Sequence, residues 1–262
     1  MEDARNFANI ERRMHGGDGQ ALQQFVSDSP WRKQGVCDQI QDEIATHPML
    51  QHGGLLILDE SSDETAGEES AGAGRQHNGR LGKVELSVTT VGLTYAHPAS
   101  GTWVLIDGEL FLQAMWFTAA YAERRQAVGL PPERGFASKP ELGLQMIRRV
   151  QARGLPFELA ACDDLYGKSR AFRAGLDAAQ IQYAAEVPSD TQVYLQCPKV
   201  GVPRRRHPRG KPPTRLKVRS RQVPHEVRAL ARSGLTTWER VAVRNSERGE
   251  LIADFAVRRC GP

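Results

Sequence analysis

The chain has 262 residues, of which 40% are hydrophobic, 25% charged and 6% aromatic, and its formal net charge is +4. That length and balance suit one large domain or two small ones with a real core, and exclude a wholly disordered chain, a collagen-like fibre and a disulfide-dense module. Apolar runs such as Leu55 to Leu58 are far shorter than a bilayer span, and the opening Met-Glu-Asp-Ala-Arg has no apolar signal segment, so neither membrane nor secretion is expected.

Residues 1–50 are predicted to be a helical region, because apolar residues recur at spacings of three and four: Phe7, Ile10 and Met14, then Leu22, Phe25 and Val26, then Val36, Ile40 and Ile44. Gly16 to Gly19 separates the first two helices, Ser29 is the expected N-cap of the third with Pro30 in its first turn, and Pro48 ends it. From Gly53 the pattern changes to strands. Gly54 to Leu58 reads as a strand buried on both faces and bounded by Asp59-Glu60-Ser61-Ser62, Val84 to Tyr95 as a second, and Thr102 to Ile106 as a third ending in Asp107-Gly108. Pro140 to Arg153 is a helix closed by Gly154, Phe157 to Cys162 a fourth strand, Ser169 to Ala179 a helix, and Gln182 to Val187 a fifth strand. This order implies an α/β fold with a mixed sheet over residues 51–196.

After Cys197 the pattern fails. Pro203-Arg-Arg-Arg-His-Pro-Arg-Gly-Lys-Pro-Pro213 reads as a solvated basic loop, since its prolines lack backbone donors, and Trp238 to Val243 with Leu251 to Val257 reads as a final strand pair. Residues 196–262 carry 17 Lys and Arg against 5 Asp and Glu, so the modest total hides a strongly basic end on an acidic body. A dense basic run of this kind points to phosphate binding by Arg204, Arg205, Arg206, Arg209 and Lys211, and names a polyanion rather than a sequence.

Two acidic residues follow apolar strands: Asp59 after Leu55 to Leu58, and Asp163 after Leu159 to Cys162. If those strands are neighbours, their carboxylates converge, and hard oxygen ligands there suit Mg²⁺ or Mn²⁺, the ions of phosphodiester chemistry. The bland alternative is that each aspartate only caps a turn or helix. Ala71 to Lys83 approaches two nucleotide-loop motifs and completes neither: Arg80-Leu81 stands where a P-loop needs Lys and Ser or Thr, and His77 where the dinucleotide fingerprint needs glycine. It is expected to be a flexible loop that either presents Arg75, Arg80 and Lys83 to phosphates or uses its glycines for turns alone. His52, His77 and His97 have no nucleophile elbow beside them, and Trp31, Trp103, Trp116 and Trp238 are expected in the core. Cys37, Cys162, Cys197 and Cys260 lie far apart and are expected to be isolated thiols.

Several spaced blocks carry a family resemblance: Leu58-Asp-Glu-Ser-Ser-Asp63, Ser70 to Val84, Ala137-Ser-Lys-Pro-Glu-Leu142 and Cys162-Asp-Asp-Leu-Tyr-Gly167. Together, across residues 5–257, the chain resembles the DDE-superfamily endonuclease domain of bacterial insertion-sequence transposases. The resemblance implies a ribonuclease-H-like fold with Asp59 on the first strand and Asp163 at the end of the fourth as catalytic, metal-holding residues. The family pattern, four residues before the glycine of Tyr166-Gly167, selects Asp163 over Asp164. It implies Mg²⁺ or Mn²⁺, DNA as partner (transposon ends and target) with a homo-oligomer left open, and a place in the bacterial cytoplasm or on the nucleoid. Residues 197–262 resemble a basic β-rich insertion, after which the family has a helix with a third acidic residue. The chain stops at Pro262 without it, and Glu247 and Glu250 are poor substitutes, so a truncated and impaired transposase is expected, the alternative being a non-catalytic DNA-binding remnant.

Overall fold

The computed structural model describes residues 9–10, 12, 19–30, 32–204, 211–234, 236–246 and 249–257. Most of the first expected helix, Trp31, Cys260 and the three arginines 205, 206 and 209 lie outside these residues. The chain divides into two compact units, Met1–Ala161 with Ala174–Ala184, and Cys162–Arg173 with Ala185–Pro262.

Helices α1 (Gln20–Asp28) and α2 (Lys33–Thr46) open the first unit, with a correction to the expected boundary. Ser29 is the extended C-cap of α1 and α2 begins only after Arg32, so Ser29 and Pro30 end one helix instead of starting the next. Proline pushes its preceding residue out of helical geometry, which explains why α1 stops there. The same effect at Pro48 leaves His47 extended and ends α2 as expected. The apolar stripe of α1 stays outside the core: none of its residues is buried.

Strand β1 (Leu55–Glu64) pairs antiparallel with the 15-residue β3 (Lys83–His97) along its whole length, from Leu55 opposite Ala96 to Glu64 opposite Ser87. Asp59 to Ser62 therefore lie inside the strand rather than after it. Leu56 and Leu58 are buried while Leu55 and Ile57 are half-buried, so one face of β1 is sealed and the other is partly open. The expected flexible loop is also largely a hairpin. β2 (Gly74–Asn78) pairs with the start of β3, and Asn78 closes the turn through its carbonyl, which accepts from Leu81 and Gly82, the latter at φ +65°.

β4 (Thr102–Phe111) pairs with the other end of β3 and is longer than expected, passing through Asp107-Gly108. A register shift opposite Leu93 and Thr94 leaves Ile106 as an extra residue. Trp103 and Leu105 point outward, and Trp103 is 64% exposed instead of in the core, yet Ile106 and Asp107 are both fully buried. The bulge thus turns Asp107 inward, where alternation alone would have put it on the outer face. Trp116 is in the core as expected, with its Nε1–H donating to Ala73 O.

Between β4 and the next sheet strand lie the short α3 (Ala122–Ala127) and the longer α4 (Lys139–Ala152). Ser138 caps α4 in a reciprocal box with Glu141, and Gly154 adopts φ +76° after its end. Leu142, Met146, Ile147 and Val150 on one face of α4 are buried against β3 and β4. Burying each such side chain stabilises the fold by about 1.5–3 kcal/mol. β5 (Leu159–Cys162), α5 (Asp164–Gly167), α6 (Arg170–Ala178) and β6 (Tyr183–Ala185) follow.

The sheet order is β2–β3–β1–β5–β6, with β4 also on β3. The bonds from Ala160 N–H to Gln182 O and from Glu186 N–H to Cys162 O advance together along both chains, as a parallel pair requires. Four antiparallel strands joined to a parallel pair make the sheet mixed, and this α/β order meets the ribonuclease-H-like expectation. The added β2 makes the strand before Asp163 the fifth instead of the fourth.

In the second unit the sheet pattern gives way to small pairs, as expected: β7 (Gln192–Val193) with β10 (His225–Glu226), and β8 (Val200–Gly201) with β9 (Lys217–Val218). The short helix α7 (Val227–Ala231) leads to the hairpin of β11 (Glu239–Ser246) and β12 (Gly249–Phe255), which realises the expected final strand pair. Trp238, just before it, is 51% exposed and not a core residue. No helix among the described residues is long and apolar enough to cross a membrane.

Candidate metal and nucleic-acid site

Asp59 sits mid-strand on β1, opposite Gly92, exposed, with its Oδ1 accepting from the N–H of Glu60 at 2.8 Å. Asp163 follows the last residue of β5 and caps α5, its Oδ1 accepting from Leu165 N–H at 3.0 Å. The capping reading of Asp163 is therefore correct for one of its oxygens. At the start of β5, Glu158 N–H donates to Gly54 O at 2.8 Å. β1 and β5 are neighbours in the sheet. Carboxylate oxygens such as those of Asp59 and Asp163 are hard donors, and Mg²⁺ or Mn²⁺ suits them. The donor set thus fits a divalent ion. Asp164 is exposed in the first turn of α5.

Glu60 was missing from the sequence reading. It shares the side of β1 that carries Leu58, whose side chain fills the space where Gly143 of α4 has no Cβ. One turn back from Gly143 is Lys139, and two residues on from Leu58 is Glu60, both steps being about 6 Å. Accordingly Lys139 Nζ donates to Glu60 Oε1 at 3.0 Å, with side chains only 15% and 20% exposed, and lies 5.6 Å from the centre of the Phe111 ring.

The face of the sheet beneath α4 is fastened by a second charged group. The fully buried Asp107 accepts from Arg149 Nε at 2.9 Å and from Arg149 Nη2, and from Lys33 Nζ at 3.2 Å. Glu109 accepts from Arg149 at 2.9 Å, Lys33 at 3.3 Å and Arg134 at 3.3 Å. Burial alone would push the Glu109 carboxyl up, but Lys33, Arg149 and Arg134 outweigh it and hold the group below its ordinary value. A carboxyl lowered by folding contributes stability above its unfolded value, and that contribution fades as pH falls through the lowered one.

In the second unit, Gly167 admits no side chain, because a Cβ there would overlap the carbonyl of Glu186. This accounts for the glycine of the Tyr166-Gly167 block. Cys162 is half-buried, and burial, then Asp163 and Glu186, raise its thiol to about 11. Cys37 is raised too, first by burial and then by Asp107, whereas Cys197 is exposed. Maleimide at pH 7.5 is expected to label Cys197 well before Cys162, with peptide mass mapping as the check; equal rates would contradict the described burial.

The candidate DNA contacts are dispersed. Arg75 on β2 is exposed, and Arg80 and Lys83 at the hairpin turn pair with Glu64 at 3.5 Å and Glu85 at 2.6 Å. From Val91, opposite Glu60, to Lys83 is eight residues of β3, roughly 26 Å at about 3.3 Å per residue. The hairpin turn is thus far from the carboxylates and its charges are locally balanced. Arg204 and Lys211 are exposed in irregular chain, and Arg205, Arg206 and Arg209 between them are outside the described residues. Glu250 is exposed on β12, and Glu247 is not described.

The family described as DDE superfamily endonuclease matches residues 1–250. A probable transposase for insertion sequence element IS701 from Microchaete diplosiphon is 25% identical over 177 residues, covering 67% of this chain and 42% of that protein. The chain therefore spans less than half the length of this curated relative. Among solved structures, a Mos1 strand transfer complex matches at 12% identity and TM-score 0.24, covering 72% of this chain and 56% of that one. A Mos1 transposase paired-end complex with left transposon end matches at 11% identity and TM-score 0.23, covering 70% and 54%. The family match and the IS701 relative bear out the resemblance carried by the sequence blocks.

Proposed function

Because the chain belongs to the DDE superfamily endonucleases, we propose that it is the catalytic part of an insertion-sequence transposase that cuts DNA phosphodiesters with Mg²⁺ or Mn²⁺. The observation that carries this reading is the family match over residues 1–250, within which Asp59 stands on β1 and Asp163 directly after β5. Asp59 and Asp163 would hold the ion. When bound, such an ion activates a water or 3′-hydroxyl and stabilises the leaving oxygen of the phosphodiester. The chain's own contribution is to hold Asp59 within β1 and Asp163 directly after β5, where it also caps α5.

Substrate binding is assigned to the basic segment. Arg204, Arg205, Arg206, Arg209 and Lys211 neutralise phosphates in a salt-dependent, sequence-independent way. Arg75, Arg80 and Lys83 are assigned a lesser role at the remote hairpin turn, where a carboxylate must yield for each of the last two. Residues 197–262 then form a DNA-gripping insertion on the nuclease core, in a protein working on the bacterial nucleoid.

Incubating the chain with supercoiled plasmid that carries the element's ends tests this. Nicking that needs Mg²⁺ or Mn²⁺ and stops with EDTA is expected. Salt-dependent binding with no nicking in either ion would favour the non-catalytic remnant.

A further inference from the structure

The second unit carries a row of cations that the basic loop does not include. Arg215, Lys217, Arg219 and Arg221 stand at every second position, the spacing of a strand with one charged side. The structure places two of them on the face of a ribbon. Val200 of β8 lies opposite Val218 of β9 and Gly201 opposite Lys217, and Arg219 N–H donates to Lys199 O at 2.7 Å. Alternation then puts Lys199, Lys217 and Arg219 on one side and Val200 with Val218 on the other. All three cations are exposed. Gly201 leaves room for Arg219, whose Cδ and Nη1 lie 3.2 and 3.9 Å from where a Cβ would stand, so this side chain crosses the ribbon to the position opposite Lys217. Like charges that face one another across paired strands destabilise them. Among the described residues no carboxylate pairs with any of the three, and no Asp or Glu occurs between Asp190 and Glu226. A face built in this way is stabilised by an anion from outside the chain. Two residues of a strand advance about 6.6 Å, and two phosphates of one DNA strand about 6.8 Å along the helix axis, so Lys217 and Arg219 match alternate phosphates.

We propose that Lys199, Lys217 and Arg219, on the cationic face of the β8 and β9 ribbon, form a phosphate-binding site that holds the backbone of one strand of duplex DNA without regard to base sequence. This rests on the reading of the protein as one that acts on DNA, and it goes beyond the basic loop, because the site stands on the paired strands that flank that loop. The ribbon fixes the interval between its charges, which the irregular chain at Arg204 and Lys211 does not.

Fluorescence anisotropy of the full chain on a labelled duplex in EDTA, over a range of NaCl concentrations, tests the site. Each of Lys199→Gln, Lys217→Gln and Arg219→Gln is expected to lower the slope of log affinity against log salt by about 0.9, the value for one phosphate contact, on duplexes of any sequence. Lys217→Arg and Arg219→Lys are expected to keep the parent slope. Arg240→Gln removes the same formal charge where Asp254 already neutralises it at 3.1 Å, and is expected to change nothing. An equal loss in Arg240→Gln would mean that net charge alone is read, and would overturn the site. The melting temperature of the glutamine variants is expected to hold or rise, since each removes one of a set of facing like charges. Arg204→Gln combined with Lys211→Gln separates the two levels. If the parent chain shows no salt-dependent binding, the reading of the basic segment as a DNA grip fails and the site falls with it; if this loop variant lowers the slope while the three ribbon variants leave it unchanged, only the ribbon site fails. Unchanged duplex slopes in the ribbon variants, together with loss of binding to vesicles containing phosphatidylserine, would assign the face to a membrane and also overturn the proposal.

Discussion

Asp163→Asn and Asp59→Asn are each expected to lower metal-dependent plasmid nicking by more than about a hundredfold, above the range for groups that merely support a ligand. Amide oxygens keep the shape and the cap on Leu165 N–H but remove the negative charge that holds a hard cation. The fold is expected to tolerate both changes. Asp59 is exposed and an asparagine at 163 can still cap α5, so the melting temperature should hold. DNA affinity in EDTA should also hold, since the proposed reading assigns it to the arginines and lysines of the basic segment. A variant that lost nicking together with stability or binding would show the residue to be structural. Gel densitometry with thermal unfolding of the same samples decides the matter.

The second large effect is structural. Arg149→Met removes the guanidinium that meets both Asp107 and Glu109, leaving Asp107, with no exposed surface, to Lys33 and the N–H of Gly108. Breaking a buried pair by removing one partner costs about 3–5 kcal/mol, and the lower figure applies because Arg149 is partly exposed and Lys33 remains. Urea unfolding of the variant is expected to show a loss near 3 kcal/mol. Adding Asp107→Leu should recover much of it, as apolar replacements of a whole buried pair often do. No recovery would mean that Asp107 serves the fold by more than its charge. The consequence reaches the candidate site, because Arg149 fastens the helix whose first turn carries Lys139.

Much of the sheet was legible. β3 and the helix from Lys139 were marked by β-branched runs, by a proline in the first turn and by glycine at the end, all of which act within a few residues. Asp59 and Asp163 were legible as acids beside apolar strands, and the spaced blocks led to the family. What was hidden depends on contacts distant in sequence. Asp107-Gly108 resembles a turn, and only pairing with β3 draws the strand through it; the bulge at Ile106 then buries an aspartate whose partners are 74 and 42 residues away. Glu60 was hidden by the alternation rule itself, which assigns neighbours on a strand to opposite faces. That rule describes the Cβ direction and not where a longer side chain ends, and the lysine opposite Glu60 lies 79 residues on. Ser29 had the residue type of an N-cap, but Pro30 ended the preceding helix first.

The central claim, that the acids of β1 and the end of β5 hold one divalent ion, is most directly tested by replacing that ion with Fe²⁺ and mapping hydroxyl-radical cuts in the protein backbone. Cuts confined to the neighbourhoods of residues 59–60 and 163, suppressed by excess Mg²⁺ and absent in Asp59→Asn, are predicted. Cuts at only one of the two strands, or a pattern that Mg²⁺ does not suppress, would contradict the claim.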